Sequence, residues 1–196
     1  SGKATGINTG LQDLNNMTSG WHGGELIILA ARPAMGKTAV SLHFAKSAAK
    51  QGTPVVIFSL EMDAKSLCER FIVSECNVHP SKLKSGNINS IELQEIDRAG
   101  GLVYELPIEI KDKAAINMGH IRSKCRALHR QKKCGMVIID YLQLIAESSN
   151  GQRNREQEIS RMSREAKIIA KELNIPVILL SQLNREVDKR QDKKPI

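Results

Sequence analysis

Apolar residues gather in short unbroken runs, and those runs alternate with stretches of helical periodicity. Residues 26–30 (LIILA) read as a buried strand, and 54–60 (PVVIFSL) and 136–140 (MVIID) as strands covered on both faces. Residues 107–110 form a shorter strand, and 176–180 (PVILL) the last one. Between them, helical spacing predicts a helix over 37–51 that Gly52 stops. A second helix is capped by Asp63 and runs to about Cys76, with Leu67, Phe71 and Ile72 on its apolar stripe. A third spans 91–99 and ends at Gly100-Gly101; a basic one spans 117–132, with Gly135 closing it. A long one spans 155–173, with Ile159, Met162, Ala166, Ile169 and Leu173 inward and Glu158, Arg161 and Glu165 on the wet face. Residues 148–154 read as a polar loop. Strands alternating with helices predict an α/β fold, a mostly parallel central sheet with helices on both faces. In such a sheet, ligands bind beyond the carboxyl ends of the strands. Glu61, Asp140 and Gln182 all follow strand ends.

The 196 residues, 41% of them hydrophobic, suit one domain with a full core. No run of about 18 apolar residues predicts a membrane span, and the first residues carry no signal-peptide core. Cys68, Cys76, Cys125 and Cys134 form no C-x-x-C pair. They read as reduced packing residues, which suggests a cytoplasmic protein. The net charge of +8 is compatible with a polyanionic partner. With only 3% aromatics, nucleic-acid contact would rest on phosphate charge more than on base stacking.

The densest chemistry follows the first strand. Residues 31–38 (ARPAMGKT) fit the P-loop pattern G-x-x-x-x-G-K-[ST], with Ala31 in place of the first glycine. A lysine at a helix N-terminus opposes the helix dipole, so Lys37 needs an anion. Backbone N–H groups over Ala34, Met35, Gly36, Lys37, Thr38 and Ala39 would cradle phosphates, and Lys37 would reach the β- and γ-phosphates of ATP. The Thr38 hydroxyl would hold Mg²⁺, and Asp140 would complete the metal's shell as a Walker B acid. Glu61 is placed to activate or orient an attacking water, and Gln182 to sense the γ-phosphate. The alternative reading of each is a cap, a salt bridge or a plain strand-end polar group. Arg32 and Arg70 read as salt-bridged or solvated, with nucleotide contact as the alternative.

The strings at 30–39 (AARPAMGKTA), 58–62 (FSLEM), 121–126 (IRSKCR), 138–145 (IIDYLQLI) and 181–185 (SQLNR) closely resemble the bacterial replicative DNA helicases of the DnaB type. The segments 5–11 and 190–195 also look like that family. The resemblance implies a RecA-like P-loop NTPase, a motor that assembles as a hexameric ring of identical subunits around single-stranded DNA. ATP would sit between subunits, and primase and a helicase loader would be partners. It implies Lys37 and Thr38 as phosphate and Mg²⁺ ligands, Glu61 as catalytic carboxylate, Asp140 as Walker B acid and Gln182 as sensor. It further implies that residues 1–196 are one motor domain incomplete at its C-terminus. The collar domain and linker helix would precede it, and the arginine finger and much of the DNA-contacting loop would follow it. On that expectation the segment alone hydrolyses ATP weakly or not at all and unwinds nothing. Arg153 and Arg155 are the candidate DNA contacts within it. Two other readings stay open: a RecA- or RadA-like recombinase ATPase, and a non-catalytic nucleotide-gated scaffold.

Overall fold

The computed structural model describes residues 5–112, 117–140 and 152–182, without the side chains of Lys84 and of 152–159. The described elements run α1 (Gln12–Thr18), β1 (Leu26–Ala31), α2 (Lys37–Lys50), β2 (Val55–Ser59), α3 (Ala64–Val73), α4 (Pro80–Ser85), α5 (Ser90–Tyr104) and β3 (Ile108–Lys111). They continue with α6 (Met118–Arg130), β4 (Met136–Asp140), α7 (Gln152–Leu173) and β5 (Val177–Gln182). The strands form one sheet in the order β1-β5-β4-β2-β3, every pair parallel. All five carboxyl ends therefore lie along one edge.

Strand alternation splits the core into two layers. Val56, Phe58, Val137, Ile139, Val177 and Leu179 face α6 and α7. Val55, Ile57, Met136, Ile138, Ile178 and Leu180 face α2 and α3. Asp140 continues the parity of Met136 and Ile138, so its side chain emerges on the α2 side. Helix α2 buries Ser41, Leu42, Phe44, Ala45, Ala48 and Ala49. The three alanines let its backbone lie close to the sheet, and Trp21 packs edge-on to Phe44 with centroids 5.6 Å apart.

Several boundaries differ from the sequence expectation. Strand β1 is half-buried, not buried: it lies at one end of the described sheet, and Ile28 is 56% exposed. Helix α5 does not stop at Gly100-Gly101 but runs on to Tyr104. A capping box between Asn89 and Glu92 starts it, and Val103 and Leu106 anchor its far end in the core. That anchoring offsets the roughly 1 kcal/mol that each glycine costs in a helix. Helix α6 ends at Arg130 and the left-handed residue is Lys132 (φ 59°), not Gly135. Gly135 is needed for space, since a Cβ there would meet Thr53 Cγ2 at 3.0 Å. Helix α7 begins at Gln152, so residues 152–154 are helical and not loop; no glycine or proline after Gly151 opposes it. The expected caps hold. Asp63 accepts from Ser66 N–H at 2.6 Å, and Gly52 (φ 81°) follows the end of α2. Asn117, read from the sequence as the first helical residue, is instead the N-cap of α6 and accepts from His120 N–H at 2.8 Å.

The cysteines are free. Cys125 and Cys134 are packing residues as expected, but Cys68 is exposed and Cys76 only half-buried, beyond the end of α3. A hydrogen bond to Cys134, with burial, pushes the Cys125 thiol up.

On the wet side, Arg161 pairs with Glu165 at 3.1 Å. Glu172 on α7 pairs with Arg126 and with Arg122 (2.7 Å) on α6. Hydrogen bonds from Arg126, then Arg122, hold the Glu172 carboxyl down to about 2 from an ordinary 4.5. A lowered carboxylate pKa stabilises above the unfolded value and is lost as pH falls towards the folded one. The contribution is thus complete above about pH 4.5 and fades towards pH 2. Because the group is exposed, 1 M salt should shrink it. Acid unfolding of Glu172→Gln against wild type, at low and high salt, checks this: the difference should close below pH 2 and in salt.

Candidate nucleotide-binding site

The chain leaves β1 at Ala31 and enters α2 at Lys37 through a turn with two left-handed residues, Ala34 (φ 62°) and Gly36 (φ 82°). Gly36 is the N-cap of α2 and nothing lies within 4 Å of its Cβ position, so it is φ that calls for glycine here. Gly36 offers no side-chain cap to the first turn of α2, whose N–H groups an α-helix leaves without intrahelical partners. Ala34 takes the same conformation with a Cβ, a strained arrangement of the kind found at ligand clamps.

Two side chains from this turn converge on Asp140, across the sheet. The Thr38 hydroxyl donates to Asp140 Oδ2 at 3.1 Å. Lys37 Nζ lies 3.3 Å from Oδ1. Oδ1 is nevertheless a buried oxygen with no hydrogen bond directed at it, so the contact to lysine is Coulombic and not aligned. Asp140 itself is only 2% exposed. Register sets its height. Ser59 pairs with Asp140, and Leu60 N–H donates to the Asp140 carbonyl at 2.7 Å.

Above this trio opens a cavity of about 320 Å³, lined by the turn and by Glu61, Met62, Arg70 and Gln182. Gln182 is level with Ala31 in the β1–β5 ladder. Glu61 stands exposed just past β2, where the Ser59 hydroxyl donates to the Met62 carbonyl at 2.6 Å and tightens the turn. Ala34, Gly36, Lys37, Thr38, Ala39, Glu61 and Gln182 thus share one cavity, with Asp140 beneath it. Met35 is 70% exposed and does not line it. Arg153 and Arg155 fall on the first turns of α7, away from this set in sequence, and their side chains lie outside the described residues, as do residues 141–145 and 183–196. Pro33 and Met62 line the cavity without having been expected. Their backbone geometry, not their chemistry, puts them there, and no residue-type signal marks them.

The donor set matches Mg²⁺. That ion keeps several waters and takes one or two protein oxygens plus substrate phosphates. Asp140 has an orphaned oxygen and Thr38 a hydroxyl, and among the described residues no cluster of three His, Cys, Asp or Glu forms a dedicated cage.

A family profile described as the DnaB-like helicase C-terminal domain matches residues 6–196. The chain belongs to that family. The chain is 45% identical over 196 residues to the replicative DNA helicase DnaC of Bacillus subtilis (strain 168). It is 44% identical over the same length to the replicative DNA helicase DnaB of Geobacillus stearothermophilus. All of this DnaB-like chain aligns in both cases, yet it spans about 43% of each relative's length. Among solved structures, one described as an ATPase domain superposes with a TM-score of 0.90 at 37% identity, covering 100% of this chain and 70% of that one. A DnaB-like replicative helicase, solved in a study of its interactions with primase, superposes with a TM-score of 0.90 at 38% identity. The match covers 100% of this chain and 47% of that one. The RecA-like architecture expected from the sequence agrees with these neighbours. No described helix is long and apolar enough to cross a membrane.

Proposed function

We propose that this DnaB-like domain is the ATP-hydrolysing motor of a replicative DNA helicase, and that the cavity over Asp140 is its Mg²⁺-ATP site. The observation that carries the reading is the convergence of Lys37 and Thr38 on one buried carboxylate. A lysine held 3.3 Å from an acid, at the uncapped start of α2, is a site poised for exchange. A triphosphate offers Lys37 more charge than Asp140 does, so Lys37 moves to the β- and γ-phosphates and frees Oδ1. Thr38 and Asp140 would then hold Mg²⁺, which when bound neutralises charge on the phosphate oxygens. The amides of 34–39 cradle the phosphates, with the α2 dipole behind them. Glu61, exposed at the mouth, orients and deprotonates the attacking water. Gln182, across from Ala31, hydrogen-bonds the terminal phosphate and passes its loss to the chain beyond β5.

The wider reading follows the family. Six copies form a ring in the cytoplasm, and ATP turnover moves that ring along single-stranded DNA and opens duplex. Arg153 and Arg155 touch the strand, and primase and a loader dock on the ring. Residues 1–196 are one motor domain within a longer protein. Nothing in the site favours the recombinase or the scaffold; Glu61 at the cavity speaks against the latter.

Calorimetric titration of the chain with ATP tests the site. Saturable one-to-one binding is expected, weakened at least about tenfold by removing Mg²⁺ with a chelator. Binding indifferent to the metal, or none, would remove the proposal. Unwinding of a forked substrate by the full-length protein, without strand exchange, is the matching expectation for the motor.

A further inference from the structure

We propose that Ser59, the last residue of β2, is a positioning residue for Glu61: its hydroxyl holds the turn that aims the Glu61 carboxylate over the cavity. The inference rests on reading Glu61 as the group that orients and deprotonates the attacking water. Ser59 is only 1% exposed and is not among the residues that line the cavity. A buried hydroxyl needs partners, and this one finds both in a single residue. Ser59 Oγ donates to the Met62 carbonyl at 2.6 Å and accepts from Met62 N–H at 3.3 Å. Met62 precedes Asp63, the N-cap of α3, so those two main-chain groups lie past the end of β2 and before the first turn of the helix.

The residue before Glu61 is pinned as well. Leu60 N–H donates to the Asp140 carbonyl at 2.7 Å, one step past the Ser59–Asp140 pair of the β2–β4 ladder. The two neighbours of Glu61 then part. Leu60 packs against the core layer under α6 and α7, and Met62 against the layer under α2 and α3. Leu60 and Met62 are half-buried, while Glu61 between them is exposed. Its place relative to Asp140 is therefore set by a main-chain bond on one side and by the Ser59 hydroxyl on the other.

A serine that closes a turn onto the backbone is common, and by itself it only stabilises the turn. Here the turn carries a carboxylate that must meet a water, and it hangs from the strand that neighbours Asp140. Alanine at 59 keeps the strand and its ladder but releases both Met62 groups. Helix α3 keeps its own anchors: Asp63 caps it through Ser66 N–H, Ala64 N–H donates to Asp112 at 2.8 Å, and Leu67 and Phe71 are buried. Loss of the hydroxyl thus loosens the turn without unseating the helix. A displacement of about 1 Å of a reacting group can cost about 10²-fold in rate.

The test is a double-mutant cycle in the full-length protein, with ATP turnover and equilibrium ATP affinity measured for wild type, Ser59→Ala, Glu61→Gln and the double variant. Ser59→Ala should lower kcat by about 10- to 100-fold. Its ATP affinity should stay within about threefold of wild type, because Ser59 lies outside the phosphate cradle. In the Glu61→Gln background the same alanine should lower kcat by less than about threefold, since aim matters only while the carboxylate is there. Wild-type kcat for Ser59→Ala, equal losses in both backgrounds, or a loss of ATP affinity that matches the loss of rate would each overturn the assignment and show a hydroxyl that serves the fold alone. If Glu61→Gln itself turns over like wild type, the reading of Glu61 falls and takes this inference with it.

Discussion

Lys37→Ala should abolish ATP binding and also make the empty fold less stable. Two costs arise from one atom. In the bound state, Nζ supplies charge-assisted hydrogen bonds to two phosphates. At about 1.5–3 kcal/mol each, their loss is worth roughly two to four orders of magnitude in affinity. In the empty state, Nζ lies 3.3 Å from an aspartate that is only 2% exposed. Removing one partner of a buried pair strands the other, at about 3–5 kcal/mol. Lys37→Arg separates the two effects. It keeps a cation beside Asp140 and should restore much of the stability, but its rigid fork does not fit the narrow turn and binding stays poor. Chemical denaturation and ATP titration of the three proteins check this. An alanine variant with wild-type affinity would contradict the role of Lys37.

The other large effect is kinetic. Glu61→Gln in the full-length protein should slow ATP turnover by about 10²- to 10⁴-fold while leaving ATP affinity within a few-fold. Glu61 is exposed at the cavity mouth, and among the described residues it contributes no buried pair whose loss would unfold the chain. Stability should therefore stay within about 0.5 kcal/mol of wild type. The amide keeps the shape and the hydrogen-bonding reach but cannot take a proton. Rapid-mixing measurement of phosphate release, alongside equilibrium binding, separates chemistry from affinity. Unchanged turnover would favour the nucleotide-gated scaffold over the motor.

These two residues also show what the sequence made legible. The buried runs at 54–60 and 136–140 specify strands because β-branched and apolar side chains on both faces leave few alternatives. The turn after 26–30 specifies a phosphate cradle because glycine, lysine and threonine have no other common reason to open a helix together. Strand ends in a parallel sheet must share one edge, so Glu61, Asp140 and Gln182 could be placed on it from the chain alone. What the sequence could not carry was relational. An apolar strand at the end of the sheet, such as β1, looks the same in sequence as one at its centre; only pairing reveals Ile28 as exposed. Gly100-Gly101 reads as a helix stop unless one knows that Val103 is anchored in the core. Helix α4 did leave local marks that went unread: Pro80 at its first turn, His79 before it and Gly86 (φ 71°) after it. The short α1 left weaker ones, with Gly10 (φ 86°) ahead of it and Leu11, no good cap, at its N-cap. The partnership of Lys37 with Asp140 spans 103 positions, and no spacing rule reaches that far. Arg70, about two turns past the Asp63 cap, is placed at the cavity only by the fold.

A crystal structure of the chain with Mg²⁺ and a non-hydrolysable ATP analogue is the most direct measurement. The triphosphate should lie across the amides of 34–39, with Lys37 Nζ withdrawn from Asp140 and hydrogen-bonded to phosphate oxygens, and Mg²⁺ between Thr38 and Asp140. A nucleotide bound elsewhere, or bound here with the Lys37–Asp140 pair still closed at 3.3 Å, would contradict the account.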